Sequence, residues 1–279
     1  MVPRAPPRFA APFPYAGQGE NRAGTEQGKA PLELEILGLL VAVAACAGFV
    51  DAIAGGGGLI TLPALLMAGM PPVQAIATNK LQGTFGVAAS SFAFWRAGHI
   101  DVRALAPAIA AVAAGALLGS AAVQWIDPDR LRLAVPAILL VVAGYFALAP
   151  HLGAGPRKAR LGPLSFALGV AGPIGAYDGF LGPGAGSMYL MGFVALLGTD
   201  LLKGTAGTKL LNLTSNAVAL AVFAAAGNVD YTVGLVMALG QVVGSRAGAR
   251  TAMLRGAPLI RPLVVIVSIA IAASLLLRG

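Results

Sequence analysis

The sequence predicts an all-α integral membrane protein. Hydrophobic residues make up 57% of its 279 residues, charged residues make up only 11%, and the mean hydropathy is +0.81. The uncharged runs approach or reach the length of a transmembrane helix. They are residues 104–126, 133–150, 161–177, 179–199, 210–229 and 262–277. Because these runs are continuously apolar and show no alternation, helices rather than barrel strands are predicted to span the bilayer.

The apolar segments divide into about eight to ten helical elements, with five candidates in each half of the chain. Those of the first half are 32–54, 59–70, 73–97, 102–125 and 130–149. Those of the second half are 162–180, 184–198, 201–226, 230–252 and 258–277. Residues 1–31 are rich in proline and charge and are predicted to be a disordered tail. Residues 150–161 are basic and are predicted to form a cytoplasmic linker.

The two halves read as copies of one unit. Identical residues recur 129 positions apart as Lys80 and Lys209, Gly98 and Gly227, Asp101 and Asp230, Gly115 and Gly244, and Gly119 and Gly248. Asp51 and Asp178 are 127 positions apart. Matches at several separated points predict an internal repeat, with residues 32–149 as the first transmembrane repeat and residues 162–279 as the second.

The short second element of each repeat bears on the orientation of the copies. Residues 59–70 would form a helix of roughly 18 Å, against a hydrocarbon core of about 30 Å. If both short elements cross the bilayer, each repeat has an odd number of spans and the copies are inverted. If both are re-entrant, the copies run parallel. The basic residues of 150–160 and those between Arg246 and Arg261 can lie on one side only if an even number of elements separates them, which favours inversion.

Each repeat contains a break rich in glycine. The residues concerned are Gly55, Gly56, Gly57 and Gly58 in the first repeat, and Gly182, Pro183, Gly184, Gly186 and Ser187 in the second. Glycine and proline weaken a helix, and an interrupted helix leaves amides unpaired at the start of the next half-helix. Those amides and the helix dipole attract an anion. The alternative is that the glycines serve only close packing of helices.

A lysine follows each break within otherwise uncharged sequence. A charge at mid-membrane costs about 2.5–3.5 kcal/mol on insertion scales, so the repeated Lys80 and Lys209 predict a partner or a substrate. The alternative is that each lysine snorkels to a lipid headgroup. Polar residues at neighbouring or helical spacing would add contacts to the same site. They are Asn79, Thr84, Thr208, Asn212 and Asn216.

An aspartate precedes each break. Asp51 and Asp178 are the predicted counter-charges of the lysines, and two interpretations remain open. The first is a pair that keeps the site neutral until an anion displaces the carboxylate or a proton neutralises it. The second is a fixed pair that braces the broken helix. Asp101 and Asp230 are predicted to cap helices. The two Gly-x-x-x-Gly segments, at 115–119 and 244–248, are predicted to be helix contacts without a ligand.

Four motifs follow one another along the chain. They are GFVDAIAGGGG at 48–58, ATNKLQGT at 77–84, YDGFLGPGAGS at 177–187 and TKLLNLTSN at 208–216. Together they resemble the TauE/SafE family of sulfite exporters, over residues 32–279. The resemblance implies a multi-pass transporter of the bacterial inner membrane, with sulfite, sulfoacetate or a related organosulfur anion as substrate. Ala185 stands where the family pattern often has a hydroxyl residue.

The sequence therefore predicts a secondary transporter that binds a small anion between the repeats and exposes it to each side by alternating access. A cation carrier and a non-transporting membrane scaffold are the alternatives. No enzyme is predicted, because His99 and His151 lie at predicted helix ends without a nucleophile or metal constellation. No cofactor or metal ion is expected. Nucleic acid is not expected either, since the net charge of +8 arises mostly at the ends of apolar runs. Homo-oligomerisation is left open.

Overall fold

The computed structural model describes residues 34–127 and 158–255, together with several residues between 129 and 141. Its helices are α1 (Leu34–Ala54), α2 (Gly58–Met67), α3 (Pro72–Arg96), α4 (Val102–Val123), α5 (Pro163–Phe166), α6 (Gly172–Phe180), α7 (Ala185–Ala195), α8 (Leu201–Ala225) and α9 (Tyr231–Arg255). The described residues contain no strand, and the all-α prediction is confirmed. The predicted tail, most of the linker, most of element 130–149 and all of element 258–277 lie outside the described residues.

The first element of the second half is interrupted. The sequence predicted one helix over 162–180, but a π-helical turn at Ala167–Ala171 separates α5 from α6. A π turn inserts an extra residue into the hydrogen-bonding register and is found mostly as a local bulge at functional sites. The corresponding α1 of the first half is α-helical throughout. The two halves therefore already differ in their first helices.

Two aspartates cap helices as predicted. The Asp101 carboxylate accepts the amides of Arg103 and Ala104 at 3.0 and 3.1 Å, at the start of α4. The Asp230 carboxylate accepts the amide of Val233 at 3.0 Å, at the start of α9. A side-chain acceptor here satisfies amides that have no partner within the helix. Both aspartates therefore have a structural role at a helix start.

Small residues bring two pairs of helices into backbone contact. A Cβ at Gly244 of α9 would lie 1.9 Å from the carbonyl oxygen of Ala45 in α1. A Cβ at Gly119 of α4 would lie 1.9 Å from the carbonyl oxygen of Ala176 in α6. Such approaches leave no room for any side chain, as in other close helix crossings within membranes. The prediction that the Gly-x-x-x-Gly segments are helix contacts is confirmed.

The helices of the two halves exchange neighbours. The α9 helix of the second half packs against α1 and α3 of the first, and the α4 helix of the first half packs against α6 and α8 of the second. The α3 and α8 helices also pack against each other. Among the described helices, the most extensive contacts join one half to the other. The predicted binding position between the repeats therefore lies inside one intertwined core.

The order of contacts gives the directions of the first-half helices. Along α9, Gly240, Gly244 and Gly248 meet Val41, Ala45 and Phe49 of α1 in that order, so α1 runs parallel to α9. Asp230 likewise meets Thr78, and Gly234 meets Leu81, so α3 also runs parallel to α9. Since α1 and α3 run the same way, the short α2 between them returns the chain to the side where α1 began.

The α8 helix runs in the opposite direction. Gly83 of α3 lies beside Asn216 of α8, whereas Phe94 near the end of α3 clusters with Ala206 near the start of α8, so α3 and α8 are antiparallel. These two helices occupy the same place in the two predicted repeats. Opposed directions for equivalent helices are what inverted repeats require. Arg246 and Arg250 lie within α9 and not in a loop, so their charges do not bear on the orientation of the repeats.

The described helices expose apolar side chains and bury charged ones, which is the reverse of the arrangement in a water-soluble protein. Leu118 and Leu239 are 69% and 70% exposed, whereas Lys80 is 1% exposed. By length and composition, α1, α4 and α8 are each able to cross a membrane. The α2 and α7 helices are apolar but shorter. An apolar exterior around buried charges is expected when lipid replaces water as the solvent.

Candidate functional site

The two glycine breaks meet at the centre of the intertwined core. A Cβ at Gly55 would lie 2.5 Å from the carbonyl carbon of Gly186, and Gly55 has a positive φ of +71°. The hydroxyl of Ser187 lies 3.0 Å from the carbonyl oxygen of Ala54 and also contacts that of Gly55, so its single hydrogen is shared between the two carbonyls. The glycines thus allow the backbones of both halves to touch. Ser187 joins them.

Lys80 pairs with the aspartate of the opposite half. Its Nζ lies 2.6 Å from Oδ1 of Asp178, and the two side chains are 1% and 4% exposed. A Cβ at Gly182 would lie 2.6 Å from the same Nζ, so the pair rests directly against the second break. This burial excludes snorkelling as the explanation of Lys80.

Lys209 makes the reciprocal pair. Its Nζ lies 3.2 Å from Oδ2 of Asp51, and its side chain is fully buried. The same Nζ donates to the main-chain carbonyl of Asp51, at the end of α1. Each predicted lysine therefore has its partner in the other half of the chain. Removing one member of such a pair would leave a buried charge unpaired, which is strongly destabilising.

The first break is already occupied by its own aspartate. Oδ1 of Asp51 accepts the amides of Gly56 and Gly57 at 3.0 and 3.1 Å, and the amide of Gly55 bonds to the main-chain carbonyl of Asp51 at 2.8 Å. The sequence had suggested that these amides would hold an anion. In the structure three of them are engaged by Asp51, because a carboxylate placed before a break is itself an anion within reach.

The second break is not closed in this way. The carboxylate of Asp178 accepts hydrogen bonds from Lys80 and from the hydroxyl of Ser215. Among the described residues, no amide of the second break donates to it. Pro183 stands where the first break has Gly56, and proline has no amide hydrogen to donate. Asp178 therefore turns toward α3 and α8, leaving the start of α7 uncapped by a carboxylate.

A small cavity of about 40 Å³ lies between the breaks, α3 and α8. Eleven of the predicted site residues line it, and they are Asp51, Gly56, Gly58, Asn79, Lys80, Asp178, Gly182, Gly184, Gly186, Asn212 and Asn216. The cavity has room for roughly three water molecules. Lys80 and Asp178 both line it, whereas Lys209 does not.

The remaining predicted site residues lie near the cavity without lining it. Gly55 and Ser187 form the contact between the breaks, whereas Gly57 packs against Ala47 and Asp51 of α1. The hydroxyl of Thr84 donates to the carbonyl of Lys80 within the same helix, at 2.7 Å. Thr208 is buried, and its hydroxyl has no hydrogen-bond partner within the described part of the chain. Since none of these five residues lines the cavity, none is placed to contact a ligand there.

The structure adds residues that the sequence had not indicated. Gln82, Gly83, Val87 and Gln241 line the cavity, and Ser215 bonds to Asp178. The Gln82 amide group donates to the Asn79 side chain at 2.8 Å. Gln241 is 3% exposed and occupies the repeat position of Val112. A lone glutamine in an apolar helix was a usable signal, but it has no counterpart in the first half, so a search for matched residues passes over it.

The described residues contain no group of histidine, cysteine, aspartate or glutamate side chains suited to a metal ion. The charged groups at the centre are the two lysines and two aspartates already described, whose formal charges cancel. An anion entering such a cavity would meet the Lys80 ammonium, the amide side chains of Asn79 and Asn212, and the uncapped start of α7. These groups can donate hydrogen bonds to oxygen atoms.

Sequence comparisons were made with known families and proteins. The family described as "Sulfite exporter TauE/SafE" matches residues 40–275. The "Probable membrane transporter protein ORF9" of Sinorhizobium sp is 46% identical over 245 residues, covering 88% of this chain and 94% of that protein. The "Probable membrane transporter protein YfcA" of Escherichia coli strain K12 is 45% identical over 241 residues, covering 86% and 90%. No solved structure matches the chain.

Proposed function

The chain belongs to the sulfite exporter TauE/SafE family of membrane transporters, and we propose that it carries a compact oxyanion such as sulfite through the central cavity. The observation that carries this proposal is the buried Lys80, which lines the cavity beside an uncapped glycine break. As a member of this family, the protein is a membrane transporter and not an enzyme. Its proposed location is the bacterial inner membrane, with several spans.

The chemistry of the cavity favours an anion over a cation. A cation bound by the carboxylates would have to displace existing partners, because both oxygens of Asp51 and both oxygens of Asp178 already accept hydrogen bonds. Lys80 would also repel it. An anion instead competes with Asp178 for the Lys80 ammonium and adds the amides at the start of α7. The cation carrier therefore becomes the weaker alternative.

The size of the cavity favours a compact substrate. The cavity has room for roughly three water molecules, and sulfite has only four non-hydrogen atoms. Sulfoacetate carries a carboxylate in addition to its sulfonate and is larger, so it would enter only if the breaks moved apart. Gly55 and Gly186 are in backbone contact, which leaves no space on that side of the cavity. Sulfite is therefore our preferred substrate of the two.

The intertwined packing supports alternating access. The cavity is bounded by α3 and α8, which are antiparallel and come from different halves. Each of these helices packs along a helix of the other half, α9 for α3 and α4 for α8. Rocking of one such group against the other would open the cavity to one side at a time, as in other transporters with inverted repeats.

Sulfite flux in proteoliposomes tests the proposal. We expect saturable flux in the wild type, and a loss of about 100-fold in Lys80→Met, because removing one partner of a buried charge pair costs about 3 kcal/mol. Sulfate, acetate and taurine serve as competitors. Lys203→Met is the matched control, since that lysine is 68% exposed and pairs only with Asp200 on the surface. Its flux should remain within about twofold of wild type, as expected for a surface pair.

Two results would contradict the proposal. Correctly inserted wild-type protein without flux for any anion would favour the scaffold alternative. Sulfite flux that survives in Lys80→Met would remove the central role of that lysine. Flux of a metal cation that depends on Asp51 and Asp178 would support the cation carrier instead.

A further inference from the structure

The buried site is neutral before a substrate arrives. Lys80, Lys209, Asp51 and Asp178 contribute two positive and two negative formal charges, and all four residues are buried. If sulfite enters in its singly charged form, hydrogen sulfite, the site carries one negative charge at membrane depth. A net charge there is costly unless a second ion compensates it. Binding of one proton within the site would restore neutrality.

The two aspartates differ in their ability to accept that proton. Asp51 receives the amides of Gly56 and Gly57 on Oδ1 and the Lys209 ammonium on Oδ2. Protonation would remove acceptor capacity that two backbone amides and a buried lysine require, so the first break would lose its cap. Asp178 receives one lysine and one hydroxyl instead. Once the anion takes over the Lys80 ammonium, only the hydroxyl remains.

Ser215 can reverse its hydrogen bond. In the structure its hydroxyl donates to Oδ2 of Asp178. The Oγ atom of Ser215 also lies 3.2 Å from the carbonyl oxygen of Leu211 and 3.1 Å from that of Asn212, one turn earlier in α8. If Asp178 is protonated at Oδ2, its O–H donates to Ser215 Oγ and the serine hydroxyl turns to one of these carbonyls. Every donor then keeps an acceptor.

Among the described residues, no other charged side chain pairs with Asp178. Of the helices around Asp178, α3 contributes Lys80, and α7 contributes the buried phenol of Tyr189. Tyr177 lies next to Asp178 in α6, and its hydroxyl donates to the carbonyl of Pro183 at 2.6 Å. The α4 helix packs along α6 with a buried face that holds only apolar residues, glycines and Ser120. Lys209 of α8 faces Asp51.

We propose that the transporter moves one proton with each singly charged anion, and that Asp178, with Ser215 as its hydrogen-bond relay, is the residue that binds this proton. The proton comes from water on the side to which the cavity is open and adds to Oδ2 of Asp178 as the anion takes the Lys80 ammonium. Both leave together when the cavity opens to the other side. Asp51 remains ionised throughout and holds the first break closed. This inference rests on the proposed function.

Accumulation of sulfite against a proton gradient is the decisive experiment. In proteoliposomes with one pH unit across the membrane, electroneutral coupling predicts about tenfold accumulation, since one pH unit is worth about 1.4 kcal/mol. Protein-free liposomes correct for passive passage of sulfur dioxide. In Asp178→Asn we expect accumulation to lose its dependence on the pH gradient. Asp200→Asn is the matched control, because that aspartate is 54% exposed and caps α8 at the surface. It should retain the gradient response.

The possible outcomes separate this inference from the proposed function. Wild-type flux that ignores the pH gradient would overturn the proton coupling and leave anion transport standing. A gradient response that persists in Asp178→Asn would overturn the assignment to Asp178, as expected if the anion carried its own proton. Absence of flux in the wild type would instead overturn the proposed function.

If Asp178→Asn is inactive both in gradient-driven uptake and in exchange, variants of Ser215 test the proposal instead. Ser215→Ala removes the relay but keeps both charges, so gradient-driven uptake should fall about tenfold more than exchange of labelled for unlabelled sulfite across equal pH. This difference corresponds to one hydrogen bond to a charged group, of about 1.4 kcal/mol. Ser215→Thr, which keeps the hydroxyl, should restore the uptake. Equal loss in both modes, or no rescue by threonine, would overturn the proposal.

Discussion

The two glycine breaks occupy matching places in the chain but have different partners. At the first break, Asp51 holds the amides of Gly56 and Gly57 and is itself held by Lys209. At the second, Asp178 bonds to Lys80 and Ser215 and caps no amide among the described residues. One substitution accounts for much of this difference, because Pro183 replaces a glycine amide. We propose that the first break is a brace and that the second receives the ligand.

The first helices of the halves show the same asymmetry. The α1 helix leads to the closed break without interruption, whereas a π turn precedes α6 and the open break. A π turn is rare and occurs mostly as a single-turn bulge within an α-helix, frequently at a functional site. We therefore propose that the first break is rigid and the second is adaptable. The predictions below test that division.

Neutralising each charge pair should give the largest contrast. Lys80→Met with Asp178→Asn removes the cavity lysine without leaving a charge unpaired, and we expect sulfite flux to fall about 100-fold while the protein keeps its thermal stability. Lys209→Met with Asp51→Asn should retain flux but lower the melting temperature, because two amides lose a charged acceptor at about 1–3 kcal/mol. Equal loss of flux in both double variants would show that the pairs have equivalent roles.

Filling the contact between the breaks should be the next largest effect. Gly55→Ala places a Cβ 2.5 Å from the backbone of Gly186 at a positive φ, so we expect a loss of at least 3 kcal/mol, roughly the upper end for overpacking, or failure to fold. Gly38→Ala is the control, because no atom lies within 4 Å of its Cβ. Unfolding followed by a thermal assay in detergent measures both. Equal stability of the two variants would refute the backbone contact.

The helix contacts outside the breaks should respond alike in the two halves. Gly119→Ala and Gly248→Ala would place a Cβ 1.9 and 2.3 Å from the carbonyls of Ala176 and Phe49. We expect both to lose stability by about 1–3 kcal/mol, as measured by thermal unfolding in detergent. Gly169→Ala, whose Cβ would meet nothing within 4 Å, should be neutral. A loss confined to one half would mean that the asymmetry extends beyond the breaks.

Gln241 should give the smallest effect. Replacing it with valine, the residue at the matching position of the first half, removes a polar side chain from the cavity and keeps both ion pairs. We expect the KM for sulfite to rise about tenfold with little change in maximal rate, the scale of one lost hydrogen bond of about 1.4 kcal/mol. Leu239→Val on the exposed face of the same helix is the control. An unchanged KM would place Gln241 outside the binding site.

The sequence located the charged centre because isolated charges are conspicuous in apolar runs. Lys80, Lys209, Asp51 and Asp178 were all predicted, and the structure brings them together in the core. It also indicated the helix contacts of the glycine motifs. It did not indicate Ser215 or Gln241 because both were sought as matched pairs, and neither has a polar counterpart in the first half. A search for matched pairs finds only residues present in both halves, whereas Ser215 and Gln241 belong to one half.

Composition and local pattern by themselves determined the membrane class, the helical elements, the glycine breaks and the identity of the buried charges. These follow from the cost of polar groups in lipid, which acts on every stretch of the chain separately. Only the tertiary structure decided that each lysine pairs with the aspartate of the opposite half, that α2 returns the chain, and that the first break is closed by its own carboxylate. Those outcomes depend on which distant segments come into contact, and contacts between halves are set by the packing of the whole core.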